Sequence, residues 1–183
     1  MVDSGPLVFQ GKVWKFGDNI STDLMMPGMA YARMLESSEI AKSCMQANRP
    51  GWAEQVGYGD IIVARRNFGC GSSRPASRVL RSLGITVVVA DSMSRLFFRN
   101  SVNLGFPVVI CSGVFDAFDE GDIAYANAET GSIRNVTKGT ELQGDILSHD
   151  SPPYQILKAG GLDPFLKDEI ARMKGSQGSP SSI

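Results

Sequence analysis

Asp60-Ile61-Ile62-Val63-Ala64-Arg65-Arg66-Asn67-Phe68-Gly69-Cys70-Gly71-Ser72-Ser73-Arg74-Pro75 is the stretch whose reading decides the fold. Asp60 to Arg65 is a short run of mostly β-branched residues and predicts a strand, and the glycine- and serine-rich residues that follow predict a tight turn. Pro75 to Leu83 predicts a helix: proline suits the first helical position, serine suits the cap, and Val79, Leu80 and Leu83 form the apolar face. Gly84 ends it. Ile85 to Ala90 is a wholly apolar strand, Ser94 to Asn103 a helix carrying Leu96, Phe97 and Val102, and Pro107 to Cys111 another buried strand. Alternation of this kind predicts the α/β class.

Working outward, Leu7 to Phe16 reads as a strand, and Gly17-Asp18-Asn19 as turn chemistry, so the polar run through Asp23 is expected to form an ordered loop able to bind something. Ser37 and Ser38 precede Glu39, Ile40, Ala41, Cys44 and Met45, which predicts a short amphipathic helix with a serine cap, followed by an irregular connection from Asn48 to Gly59. From Gly121 onward the chain reads as a small β-layer, with hairpin connections at Glu129-Thr130-Gly131-Ser132 and Thr137-Lys138-Gly139-Thr140. Ser151 to Leu157 opens with Pro-Pro and leads into a helix, Gly160-Gly161 breaks it, and Pro164 to Met173 forms the last one. Residues 1–174 are therefore expected to make one domain, with 175–183, rich in Gly, Ser and Pro, a disordered tail.

Composition excludes several function classes. The 18 basic and 19 acidic residues nearly cancel, and no stretch interleaves Lys or Arg with aromatics, so nucleic acid is not an expected partner. No segment approaches the roughly 20 apolar residues of a membrane span, and Met1 to Lys12 lacks a basic region followed by an apolar run; a cytoplasmic protein without a membrane partner is expected. Cys44, Cys70 and Cys111 are odd in number and widely spaced, which supports neither a disulfide framework nor a cysteine-ligated metal site. His149 is the single histidine, in a turn-like Ser-His-Asp-Ser-Pro-Pro stretch, and reads as an exposed loop residue.

Chemistry concentrates at Gly69 to Arg74. Glycines at 69 and 71 let the backbone turn sharply, so Ser72 and Ser73 arrive where unpaired N–H groups and the positive end of a helix dipole favour an anion. Arg74 adds a planar fork that grips a carboxylate by two hydrogen bonds. The same residues also fit a plain capped strand-to-helix turn, and from the motif alone both readings stand. A P-loop is excluded by the missing Gly-Lys-Ser/Thr, and a dinucleotide fingerprint by Arg at position 74 where its third glycine belongs. Cys70, with no histidine near it in sequence, reads as a small buried residue.

Gly17-Asp18-Asn19-Ile20-Ser21-Thr22-Asp23, Pro27-Gly28, Asn67 to Arg74 and Ser94-Arg95-Leu96-Phe97-Phe98-Arg99-Asn100 resemble, in order and spacing, the swivel domain of the aconitase and isopropylmalate isomerase family. The likeness runs from about Gly11 to Leu166 and includes Glu129-Thr130-Gly131 and Gly160-Gly161-Leu162. It implies a swivelling β/β/α fold and a hydro-lyase that removes and readds water on a hydroxy di- or tricarboxylic acid. It also implies Ser72 as the base, Ser73 as an adjacent hydrogen-bonding group, Arg74 as the carboxylate anchor, and Thr22 and Asp23 at the substrate. No metal is expected on this chain. The [4Fe–4S] cluster of the family is expected on a separate large subunit, with which this chain is active as a small subunit.

One departure qualifies the likeness: the family usually continues Ser-Ser-Arg with Glu-His, where this chain has Pro75-Ala76. This leaves homoaconitate-type and dimethylmalate-type substrates open beside isopropylmalate. Arg33, in Tyr31-Ala32-Arg33-Met34, falls where the family's substrate-contacting loop is expected and implies a polar substrate group. A reading of another class is a non-catalytic anion-binding module that kept the fold; Ser72 together with Arg74 favours the enzyme subunit.

Overall fold

The structure, a computed structural model, describes residues 5–28, 37–71 and 74–176. Its organising element is β1 (Val8–Phe16), which serves two layers. Its first half, Val8 to Lys12, pairs antiparallel with β5 (Ile123–Asn127); its second half, Val13 to Phe16, pairs parallel with β2 (Ile61–Ala64). The remaining strands are β3 (Val87–Ala90), β4 (Val108–Ile110), β6 (Ser132–Asn135) and β7 (Thr140–Gln143), in the order β4-β3-β2-β1-β5-β6-β7. Strands β1 to β4 run parallel, and β1, β5, β6 and β7 antiparallel. Beyond β7 the Asp145 N–H donates to the Ile110 carbonyl at 2.7 Å, which curls the sheet back toward β4. This is the β/β/α arrangement the resemblance implied.

Alternation of side chains explains why the parallel strands are wholly apolar. Ile62 and Ala64 of β2, Val88 and Ala90 of β3, and Trp14 and Phe16 of β1 enter one core, where Val79 and Leu80 of α3 (Ala76–Leu83) cover them. Ile61, Val63, Val87, Val89 and Val13 point the other way, toward Ala124, Ala126 and Ile133 of the antiparallel layer and Leu157 of α6 (Pro152–Lys158). A sheet covered on both faces has no use for polar positions. Helix α4 (Arg95–Asn103) buries Phe97 in the first core and Val102 in the second. The fold is completed by α2 (Ser37–Lys42) and by α7 (Leu162–Ser176), which starts ahead of Pro164 and runs past Met173.

Some local expectations are corrected. Pro75 occupies the cap of α3 and makes no side-chain cap hydrogen bond, so it is not the first helical residue and no serine caps the helix there. Ser37 and Ser38 lie inside α2 rather than ahead of it. Strand β2 starts at Ile61, one residue later than expected, and the Asp60 carboxylate ahead of it accepts from Trp14 Nε1 at 2.7 Å and Gly57 N at 2.8 Å. Two single-turn helices, α1 (Thr22–Met25) and α5 (Val114–Ala117), were not expected, being too short for periodicity to register. Both hairpin connections form where expected, the first with Asn127 Oδ1 accepting from the N–H groups of Glu129 (2.9 Å) and Thr130 (3.1 Å).

Candidate active site

Loops leaving the carboxyl ends of β1, β2 and β3 zip together. The strand register that places Phe16 beside Ala64 continues past the strands: Asn19 N–H donates to the Arg66 carbonyl (2.8 Å), Gly69 N–H to Ile20 (2.7 Å) and Thr22 N–H to Cys70 (2.8 Å). Asn19 and Asn67 both turn through the left-handed region, φ 57° and 58°, which asparagine tolerates, and Asn67 Nδ2 donates to Asn19 Oδ1 at 2.8 Å. On the far side Phe68 N–H donates to Ser92 (3.1 Å), and Ser94 N–H donates to Phe68 (2.9 Å). The glycine-rich turn is thus clamped between two neighbours at the end of a parallel sheet where ligands commonly bind.

Asp18 fastens the outer edge, accepting on one oxygen from the Arg66 N–H at 3.0 Å and from Arg66 Nε at 3.2 Å. The guanidinium hydrogen bond, then the backbone one, hold this carboxyl below its ordinary value, and the same guanidinium hydrogen bond holds Arg66 above its own. Close approach explains both glycines of the turn. At Gly69 (φ 75°) a Cβ would stand 2.2 Å from Phe97 Cγ, and at Gly71 (φ 99°) 2.6 Å from Ser21 Oγ. Ser21 itself caps α1, its Oγ accepting from Asp23 N at 3.1 Å.

Arg74 is the described cation of this site. Its Nη1 donates to the Met26 carbonyl at 2.6 Å and pairs with Asp23 Oδ1 at 3.1 Å, while Nη2 lies over Gly28, 3.0 Å from where a Cβ would be. Both of these partners engage Nη1, and the side chain stays 27% exposed. Thr22 is buried at the start of α1, and Asp23, 54% exposed, faces Arg74. Of the expected site residues the structure therefore brings Thr22, Asp23 and Arg74 together. Ser72, Ser73 and Arg33 lie outside the described residues.

Sequence reasoning missed the Met26 carbonyl as an Arg74 acceptor, since a main-chain group leaves no trace in side-chain pattern. It also missed the Asn19–Asn67 pair, for which a signal existed: each asparagine follows its strand by the same interval. His149 is exposed as expected, stacked on Tyr154 with ring centroids 4.5 Å apart. Cys70 is half-buried rather than buried.

Cysteines of this chain do not fit an iron–sulfur cluster. Cys44 sits in the first core and Cys111 in the second, and burial pushes their thiols up to about 12 and about 11, the latter with help from Asp91 and Asp145. A cluster needs thiolates gathered at one point. Among the described residues no three His, Cys, Asp or Glu side chains gather as a metal site, and no helix is long and apolar enough to cross a membrane.

Residues 17–110 match the aconitase C-terminal domain family. The chain is 41% identical over 167 residues to the isopropylmalate/citramalate isomerase small subunit of Methanocaldococcus jannaschii, covering 90% of this chain and 96% of that one. It is 40% identical over 173 residues to the homoaconitase small subunit of the methanogen Methanothermobacter thermautotrophicus, covering 93% and 98%. A crystal structure of 3-isopropylmalate dehydratase from Methanocaldococcus jannaschii superposes with a TM-score of 0.85 at 33% identity, covering 92% of this chain and 99% of that one.

Proposed function

Because the chain belongs to the aconitase C-terminal domain family, among the small subunits of 3-isopropylmalate dehydratase-type hydro-lyases, we propose that it supplies the proton-abstracting half of a dehydratase site completed by a larger subunit. The substrate class is a hydroxy di- or tricarboxylic acid of the isopropylmalate type. Dehydration breaks a C–H bond on one carbon and the C–OH bond on its neighbour, forms the C=C bond and releases water; rehydration reverses this. An iron–sulfur cluster on the large subunit would assist loss of the hydroxyl, and this chain acts on the other carbon.

The observation that carries this reading is the fixed guanidinium of Arg74 at the end of the Gly69–Gly71 turn, held through Nη1 by Met26 and Asp23. A planar fork anchored at one nitrogen is pre-oriented to take a carboxylate with the rest of its donors. In this reading Ser72, two residues before Arg74, takes the proton, and the neighbouring positive charge favours its deprotonated form. Ser73 hydrogen-bonds beside it, and Thr22 and Asp23 border the substrate. Adding the purified chain to a cluster-bearing large subunit and following absorbance of the unsaturated acid tests this. Ser72→Ala is expected to lower turnover by roughly 10²–10⁴-fold, the usual contribution of a general base. A wild-type rate in that variant would remove Ser72 from the chemistry.

A second substrate reading rests on Arg33. If Arg33 faces the variable group, an isopropyl substituent would leave its guanidinium unpaired, whereas the extra carboxylate of a homoaconitate-type acid would pair it. Arg33→Val should then cost the polar acid about 1.5–3 kcal/mol in kcat/KM. An unchanged preference would take Arg33 out of substrate selection.

A further inference from the structure

The motif Ser94-Arg95-Leu96-Phe97-Phe98-Arg99-Asn100 has one face without employment in the fold. Phe97, Ser101 and Val102 turn into the cores, while Arg95, Leu96 and Arg99 stand on the opposite flank of α4, exposed, Leu96 to 43%. Leu96 and Arg99 are three apart and Arg95 and Arg99 four apart, so the three side chains share one patch. Neither arginine has an ion pair among the described residues, and α4 carries no acid in its first turn. Ser94, at the cap, makes no side-chain hydrogen bond to the helix. Two guanidinium groups in the first turns, near the positive end of the helix dipole, break the usual rule that acids belong there. Among the described residues no side chain compensates this charge.

The location says what would compensate it. Residues 92–94 are hydrogen-bonded to Phe68, and Gly69 packs on Phe97, so the patch rides on the rim of the candidate site. We infer that the Arg95–Leu96–Arg99 face of α4 is the docking surface for the large subunit, taking an apolar slot on that subunit flanked by carboxylates. This rests on the functional reading above, in which a second protein must close over this end of the sheet. A leucine ringed by two unpaired guanidinium groups has the composition of an interface anchor: an apolar contact for burial, and arginine, which interfaces favour over lysine, for orientation.

The test separates docking from substrate binding. Activity of the assembled enzyme is titrated against large-subunit concentration for wild type, Leu96→Asp, the pair Arg95→Glu with Arg99→Glu, and Met173→Asp, a 63% exposed position on a different helix, α7. The half-saturating subunit concentration is expected to rise at least about tenfold for the first two variants, with the maximal rate and substrate KM within about twofold of wild type and no change for Met173→Asp. In wild type it should also rise with salt, and less so once both arginines are glutamine. Wild-type assembly with unchanged half-saturation in the α4 variants overturns this inference and leaves the functional reading standing. A raised substrate KM at unchanged half-saturation also overturns it, by assigning the arginines to the substrate. Absence of any wild-type activity at saturating partner would sink both.

Discussion

Gly69 lies against the ring of Phe97 so closely that a Cβ there would stand 2.2 Å from Phe97 Cγ and 2.4 Å from its Cβ. The turn of the candidate site and the helix beside it are thereby locked in one packing arrangement, since Phe97 is itself buried in the core above β1 to β3.

Gly69→Ala should therefore lower stability by about 2–5 kcal/mol, the sum of left-handed strain and overpacking against a ring that has nowhere to go. Gly71→Ala should cost less, because its obstacle is the movable hydroxyl of Ser21. Urea unfolding of the two variants checks the order; equal midpoints would contradict the Gly69–Phe97 packing.

Replacing Arg74 by lysine keeps the charge but loses the fork that reaches Met26 and Asp23 with one nitrogen. A loss of about 1.5–3 kcal/mol in transition-state stabilisation is expected, roughly a ten- to hundredfold drop in kcat/KM, with the unfolding midpoint nearly unmoved. Steady-state kinetics of the assembled enzyme beside a thermal melt of the chain measures both.

Acid should reach the antiparallel layer through Asp122. Its burial raises the carboxyl's pKa, but hydrogen bonds from Asp119 N–H at 2.8 Å and Asn135 Nδ2 at 2.6 Å, with Lys138 at 3.5 Å, outweigh this and hold it below the ordinary value. A depressed carboxyl contributes stability that is fully present above its unfolded value of about 3.9 and is lost as pH falls through the lower folded value. Asp122→Asn is expected to cost about 1–3 kcal/mol at pH 7, with the gap to wild type narrowing below about pH 4. Denaturant curves at both pH values would show a constant gap if the folded carboxyl were not depressed.

Thiol chemistry offers a check on the cluster's place. Cys44 and Cys111 are buried with their thiols raised to about 12 and about 11, so in the folded chain neither should react with a thiol reagent at pH 8. No more than one of the 3 cysteines, Cys70, is expected to react before unfolding, and all 3 after it. Incubation with iron and sulfide should leave the isolated chain without bound iron; stoichiometric uptake would place a cluster on this subunit.

Much of the architecture was legible because it depends on local pattern. Apolar runs at 61–64, 87–90 and 108–110 can be satisfied only by a sheet covered on both faces, and the amphipathic spacing of Val79, Leu80 and Phe97 needs helices to do the covering. The Gly-x-Gly-Ser-Ser-Arg turn was equally visible, since glycine and arginine advertise backbone freedom and anion affinity whatever surrounds them. What the sequence could not determine is everything that depends on two distant segments meeting. That β1 divides itself between a parallel and an antiparallel layer follows from pairing with β2 on one side and β5 on the other. The Asn19–Asn67 bridge and the Met26 carbonyl beneath Arg74 follow from that register in turn. Local composition sets which elements form, but partners separated by dozens of residues are chosen by packing and hydrogen-bond satisfaction across the whole fold, and only the tertiary structure carries that choice.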